Sequence, residues 1–281
     1  MICIGKATKL IEKLICEDKI YETTIKLGIA TDTADVTGNI LKIQNLENNE
    51  IKENNLKDFY KEFEEIIKND KIKYSNEIEK ARGDYNRKFL ANNNRRANLK
   101  IGEISDKIRK FEGKQEQRPP IYSSIKINGK KLYEYARNGE MVEIPKRNIE
   151  IFKIDNISWN DKDEISYKVH CSKGTYIRSL NEDIAKSLGF IGTTYELRRL
   201  KSGNFDIKNA ITLEEIDESK IITIDKLFDK KIELNKIEIE KLLNGILLDF
   251  NDKNGIYKVY CNGEFVGLGK LENNKLKRYI I

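Results

Sequence analysis

The stretch Val169-His-Cys-Ser-Lys-Gly-Thr-Tyr-Ile-Arg178 constrains the fold more than any other part of the chain. It reads as a strand entering a turn at Gly174, where positive φ carries no steric penalty. From Tyr176 the chain reads as a helix to Leu188. Ile177, Leu180, Ile184 and Leu188 line one face, and Gly189 stands where a C-terminal cap belongs. The turn displays Lys173, Tyr176 and Arg178 together. Two fixed cations and an aromatic ring at such a turn suit a phosphorylated, planar substrate, which points to a nucleotide.

Mixed elements surround this stretch. Residues Lys6 to Glu17 place Ala7, Leu10, Ile11, Leu14 and Ile15 at helical spacing. Ile20 to Ile29 is β-branched and aromatic and predicts a strand. Thr31-Asp-Thr-Ala-Asp-Val-Thr-Gly38 is a polar loop whose Asp and Thr side chains can bond nearby amides, and Asn39 to Gln44 returns as a strand. Asn54 to Lys114 predicts long helices, or helices joined by a loop. Its basic run Ala81 to Arg96 fits a solvated helix face or an arm that meets phosphates. Arg118 to Lys126 is extended around Pro119-Pro120. Leu132 to Arg137 predicts a short helix closed by Asn138-Gly139. Ile149 to Trp159 and Ile165 to Cys171 read as paired strands, and Thr194 to Leu200 and Gly203 to Ile207 as short ones. Thr212-Leu-Glu-Glu215 has capping-box spacing and predicts a helix start. After a helix at Leu234 to Leu243, three strands follow, with turns at Asn262-Gly263 and Asn273-Asn274.

Composition narrows the class. The chain has 281 residues, 39% of them hydrophobic, enough for one large domain with a small appendage. It has no apolar run long enough for a membrane-spanning helix. The N-terminal residues lack the pattern of a secretory signal, so the sequence is read as cytoplasmic. Four cysteines lie scattered and His170 is the one histidine, which argues against a metal site. The net charge of +6 favours a polyanionic partner without establishing one.

Several stretches match one family in its own order along the chain. They are Ile4-Gly-Lys-Ala-Thr-Lys9, Tyr21 followed by Leu27-Gly28 and Thr31-Asp-Thr-x-Asp-x-x-Gly38, and Gln117-x-Pro-Pro-x-Tyr-Ser-x-Ile-Lys126. Gly129-Lys130, Leu132-Tyr-Glu-Tyr-Ala-Arg-x-Gly139, Cys171 to Arg178 and Leu197-Arg-Arg-Leu200 continue the match. The chain resembles the bacterial tRNA pseudouridine synthase B family, which isomerises uridine-55 in the TΨC loop of tRNA. The resemblance implies a mixed α/β fold around a bent, mainly antiparallel sheet, with a small C-terminal β-rich domain of PUA type. On this reading residues 1–218 form the catalytic-type domain, with an insert at about 64–109, and residues 219–281 form the PUA-like domain.

The resemblance also implies a chemistry. The uridine is flipped out of the RNA stack, its N1–C1′ bond is broken, and the base is rejoined through C5. No metal or organic cofactor is required, and the expected partner is the tRNA T-arm; protein partners are not indicated. By resemblance Tyr21 holds the base-stacking position, though an ordinary strand aromatic is the plain alternative. Tyr176 matches the tyrosine beside the pocket, Arg178 the arginine that pairs with the catalytic carboxylate, and Leu197 an apolar wall. Lys126, Lys173, Arg198 and Arg199 are candidate phosphate contacts, or equally solvated charges. Asp32 and Asp35 read as loop-forming residues rather than catalysts.

Two departures stand out. The family's nucleophilic Asp lies in a Gly-His-Thr-Gly-Thr-Leu-Asp-Pro type motif shortly before the Ile-Gly-Lys-Ala-Thr-Lys stretch, and no such motif occurs in this sequence. The expectation is that the segment holding the Asp is lacking, that Arg178 faces the pocket without its partner, and that the chain alone has little or no activity. A catalytically inactive tRNA-binding or tRNA-folding protein, or a non-functional gene fragment, is the alternative. The insert is the second departure, since relatives pass more directly to the Gln-x-Pro-Pro motif.

Overall fold

A computed structural model describes residues 2–15, 17–47, 50–53, 82–84, 86–87 and 99–280. The chain forms two compact units: Cys16–Lys208, and Met1–Ile15 together with Asn209–Ile281. The residues up to Ile15 group with those from Asn209 onward.

The larger unit is built on strands β1 (Lys19–Leu27), β2 (Ile29–Thr31), β3 (Ile40–Gln44), β4 (Ile51–Glu53), β5 (Gly113–Gln117), β6 (Lys126–Ile127), β7 (Lys130–Lys131), β8 (Arg147–Trp159), β9 (Glu164–Cys171), β10 (Gly192–Ser202) and β11 (Phe205–Asp206). Its helices are α1 (Ile101–Arg109), α2 (Leu132–Arg137) and α3 (Ile177–Ser187). Six strands form one sheet in the order β11-β10-β1-β9-β8-β5, antiparallel at every pairing. β2, β3 and β4 make a second, small sheet, and β6–β7 a hairpin.

The alternation of β9 explains why the main sheet has a dry and a wet face. Ile165, Tyr167, Val169 and Cys171 are buried, whereas Ser166, Lys168 and His170 between them are half-exposed. The dry face receives Ile177, Leu180 and Ile184 of α3, and Ile104 and Ile108 of α1, in one core with Ile25, Ile151 and Ile154. Each such fully buried side chain stabilises the unit by about 1.5–3 kcal/mol. α1 lies within the span read as an insert, yet its two isoleucines are integral to the core. Most of the basic run Ala81 to Arg96 lies outside the described residues; 82–84 and 86–87 are helical.

The smaller unit holds a five-stranded sheet in the order β12-β14-β15-β16-β13: β12 (Lys231–Glu233), β13 (Leu248–Asp249), β14 (Gly255–Cys261), β15 (Glu264–Glu272) and β16 (Lys275–Ile280). β12 runs parallel to β14, and the other pairs are antiparallel. Both hairpin turns use left-handed residues, Asn262 at φ 53° with Gly263 at 81°, and Asn273 at 51° with Asn274 at 60°. Helix α4 (Lys236–Leu243) starts at a reciprocal cap. The Glu238 amide donates to Asn235 Oδ1 at 3.0 Å, and the Asn235 amide to Glu238 Oε2 at 2.9 Å. Leu242 of α4 joins Ile232, Tyr257, Val259 and Leu276 in this unit's core.

Three expectations change. The Thr212–Glu215 pair does form, the Thr212 amide donating to Glu215 Oε2 at 2.8 Å, but only short 3-10 turns follow, Glu218–Lys220 and Ile224–Leu227, and no α-helix. Leu213, Ile216, Ile221 and Ile222 are all exposed, so a helix there would have no buried face to stabilise it. The strand expected at Gly203 to Ile207 shrinks to β11 and a 3-10 turn, Ile207–Asn209. The N-terminal helix is a 3-10 segment, Gly5–Leu10, running into one α-turn, Ile11–Ile15.

Candidate active site

The pairing of β1 with β10 decides which side chains meet. Thr23 lies opposite Leu197, and Tyr21 opposite Arg199, so all four share one face; Glu22 and Arg198 share the other. The first face is the one covered by α3, because Asn181 Nδ2 donates to Thr23 Oγ1 at 3.0 Å. Arg199 lies over the Tyr21 ring, 5.3 Å from its centroid, and its Nε donates to the Tyr21 hydroxyl at 3.2 Å. Burial raises the Tyr21 pKa, and the Arg199 charge opposes that shift. Leu197 is 42% exposed and leaves apolar surface open on this face.

The start of α3 is fixed by its neighbours. Tyr176 is the N-cap residue, and Gln117 at the end of β5 grips its backbone twice. The Tyr176 amide donates to Gln117 Oε1 at 2.8 Å, and Gln117 Nε2 donates to the Tyr176 carbonyl at 3.0 Å. Ser179 Oγ donates to the Arg118 carbonyl at 3.0 Å. Arg178 reaches two segments at once: Nη1 donates to the Thr33 carbonyl at 2.9 Å and Nη2 to the Tyr122 carbonyl at 2.8 Å. The charge expected to be orphaned thus has two carbonyl acceptors, whose dipoles replace water around a rigid, five-donor fork. Glu182, one helical turn further on, is pushed up to about 7, first by burial and then by the neighbouring Asp183, against the pull of Arg178.

Loop 31–39, which Arg178 holds at Thr33, spends its carboxylates on itself. Asp32 accepts from the Asn39 amide at 2.8 Å and from Asn39 Nδ2 at 2.7 Å. Asp35 accepts from the Thr37 amide at 3.0 Å and from its hydroxyl at 2.8 Å. Both therefore act as loop-formers. Gly38 is required there, since a Cβ would stand 2.2 Å from Thr33 Oγ1 and 2.5 Å from Asp32 Oδ1. The loop docks on β10, with the Val36 amide donating to the Thr194 carbonyl at 2.8 Å and the Thr194 amide to the Ala34 carbonyl at 3.1 Å.

A buried polar relay ties these pieces together. Tyr167 of β9 donates to Asn181 Oδ1 at 2.5 Å, and Asn181 Nδ2 donates to Thr23 Oγ1 and, at 2.9 Å, to Thr194 Oγ1. One helix residue thereby links β9, β1 and β10, the last beside the docked loop.

Of the expected site residues, Tyr21, Leu197 and Arg199 come together on the β1–β10 face. Tyr176 and Arg178 stand at the start of the helix that covers it, with Lys173 exposed in the preceding turn. Arg198 points to the opposite face, and Lys126 is exposed on the β6–β7 hairpin. Sequence reading gave no role to Gln117, Tyr122 or Asn181. The first two sit in the Gln-x-Pro-Pro-x-Tyr motif, which was a signal; a buried Asn inside an apolar helix face was the signal for the third.

Comparison with known proteins places this geometry. A model of the TruB family pseudouridylate synthase (N terminal domain) matches residues 1–78 and 71–177, and one of the tRNA pseudouridylate synthase B C-terminal domain matches 178–249. The tRNA pseudouridine synthase B of Clostridium kluyveri is 34% identical over 289 residues, covering 98% of this chain and 82% of the relative. That of Clostridium tetani is 35% identical over 281 residues, covering 96% and 80%. Among solved structures, a Cbf5-Nop10-Gar1 complex aligns with a TM-score of 0.55 at 17% identity, over 99% of this chain and 70% of that one, which speaks to the fold. With a family model matching residues 1–78 and 71–177 and relatives about a third identical over nearly all of this chain, the chain belongs to the TruB family of pseudouridylate synthases.

Proposed function

We propose that the chain is a cytoplasmic tRNA pseudouridine synthase that isomerises uridine-55 of the T-arm. The observation that carries this reading is the similarity to tRNA pseudouridine synthase B relatives over 98% of the chain, and Tyr21 and Leu197 share one face of the sheet. The residues divide the work by their chemistry. Tyr21 offers a ring for the flipped uracil to stack on, with Arg199 holding its hydroxyl and fixing the ring plane. Leu197 supplies an apolar wall. Tyr176 stands by for the proton that leaves C5, and Arg178 holds a fixed positive charge at the start of α3. The reaction is an isomerisation: the N1–C1′ bond breaks, a C5–C1′ bond forms, and the C5 proton is lost while N1 gains one. Lys126, Lys173 and Arg199 are proposed phosphate contacts, and Arg198 serves the opposite sheet face. The β-rich C-terminal unit is proposed as a PUA-like RNA contact.

One observation favours a second reading, RNA binding without turnover: Arg178 spends its guanidinium on the Thr33 and Tyr122 backbone carbonyls. A single experiment separates the two. The purified chain is given a T-arm stem-loop labelled with tritium at C5 of its uridines. Release of label at position 55 supports the isomerase. Salt-dependent binding without release supports the RNA-binding protein, and absence of both overturns each.

A further inference from the structure

The helical residues ahead of α1 make three contacts that the catalytic reading does not use. Asn86 is fully buried, and its Nδ2 donates to the Val36 carbonyl at 2.6 Å and to the Gly38 carbonyl at 3.0 Å. Gly83 packs so closely on loop 31–39 that a Cβ there would meet Thr37 Cγ2 at 2.9 Å. The Arg87 guanidinium lies over the Tyr195 ring, 5.7 Å from its centroid. Tyr195 is the neighbour of Thr194, whose backbone carries the same loop.

One amide group therefore restrains two carbonyls of a loop whose third, at Thr33, is taken by Arg178. The orientation of the amide follows from those carbonyls: turned the other way, Oδ1 would face two acceptors. Oδ1 itself has no hydrogen-bond partner among the described residues. A side chain buried at that cost, and spent on the loop that anchors Arg178, restricts the loop to one shape.

We propose that Asn86 is a positioning residue for RNA recognition: it holds loop 31–39 at Val36 and Gly38 while Arg178 holds it at Thr33, so the loop and the start of α3 meet the T-arm already arranged. The proposal rests on the RNA reading above. It assigns Asn86 a role that needs no contact between its side chain and RNA. Preorganisation of this kind strengthens binding by removing an ordering cost that would otherwise be met on association.

The test compares the full chain with Asn86→Asp, Asn86→Ala and Gly83→Ala. Two quantities are read: amide exchange of residues 31–39 in the free protein, and affinity for an unlabelled T-arm stem-loop between pH 5 and pH 8. Asn86→Asp keeps the shape but sets a carboxylate against two carbonyls. At pH 8 its loop should exchange faster and its RNA affinity should fall about tenfold. Burial beside acceptors raises that carboxyl's pKa, so towards pH 5 it regains a proton to donate. Affinity relative to wild type should then recover, which a general loss of stability would not produce. Asn86→Ala should bind more weakly at every pH, without recovery. Gly83→Ala displaces Thr37 while sparing the hydrogen bonds, and it keeps the test alive if Asn86→Asp fails to fold; it should loosen the loop and weaken binding.

A loop that exchanges at the wild-type rate in these variants overturns the proposal, as does a loosened loop with unchanged affinity. Wild-type protein that ignores the stem-loop refutes the RNA reading itself. Wild-type binding that all three variants leave intact refutes the role of Asn86 alone.

Discussion

Replacing Asn181 by Ala should cost the larger unit about 3 kcal/mol, and the structure says where that comes from. The Tyr167 hydroxyl is buried and donates to Asn181 Oδ1 at 2.5 Å; without that acceptor it is stranded, at about 1–3 kcal/mol. Thr194 loses its donor at 2.9 Å, whereas the Thr23 hydroxyl keeps the Glu196 carbonyl at 2.8 Å and suffers less. The space left by the removed amide adds about 1 kcal/mol where α3 cannot settle onto the sheet. Tyr167→Phe alone should cost about 1–2 kcal/mol by leaving Asn181 Oδ1 without its donor. In the double variant the stranded partners are gone together, so the costs should fall short of additivity by about 1–2 kcal/mol. Trp159 is the one tryptophan in the chain and packs against the larger unit's core, so its fluorescence in urea reports this unit. An Asn181→Ala cost below about 1 kcal/mol, or strict additivity in the double variant, would refute the account of Asn181 as the tie between β9, β1 and β10.

Three further outcomes are expected. Arg178→Lys should weaken T-arm binding by about tenfold with far-UV circular dichroism unchanged, because one ammonium does not reproduce a fork spanning the Thr33 and Tyr122 carbonyls; equal affinity refutes it. Gly38→Ala should destabilise the larger unit by about 2–3 kcal/mol, since its Cβ overlaps Thr33 and Asp32; an unchanged urea midpoint refutes it. Glu182 has its pKa raised from 4.5 to about 7, so the folded state binds more protons than the unfolded one between those values. Its contribution is therefore fully present below pH 4.5 and is lost as pH rises through 7. Glu182→Gln should flatten that decline, with melting temperature gaining at pH 8 and little changed at pH 4; a parallel shift at both pH values refutes it.

The local pattern of the chain was legible in its residues. Alternation marked β9, helical spacing and Gly189 marked α3, and paired Asn and Gly residues marked both hairpins of the smaller unit, because turn conformation and side-chain period are properties of neighbours in sequence. Motif order likewise pointed to the family to which the chain belongs. Thr212–Glu215 shows the limit of local signals: its cap contacts form, yet the residues after it bury nothing, and a helix needs that burial more than it needs a cap.

The sequence by itself determined most of the elements, the hairpin turns of the smaller unit and the family. Only the tertiary structure decided that Tyr21 and Leu197 share a face while Arg198 turns away, that Arg178 rests on two carbonyls, and that Asn86 grips the loop beside it. The reason is physical: strand register and hydrogen bonds between segments far apart in the chain arise from packing the whole core at once, and a local window of residues carries no record of them.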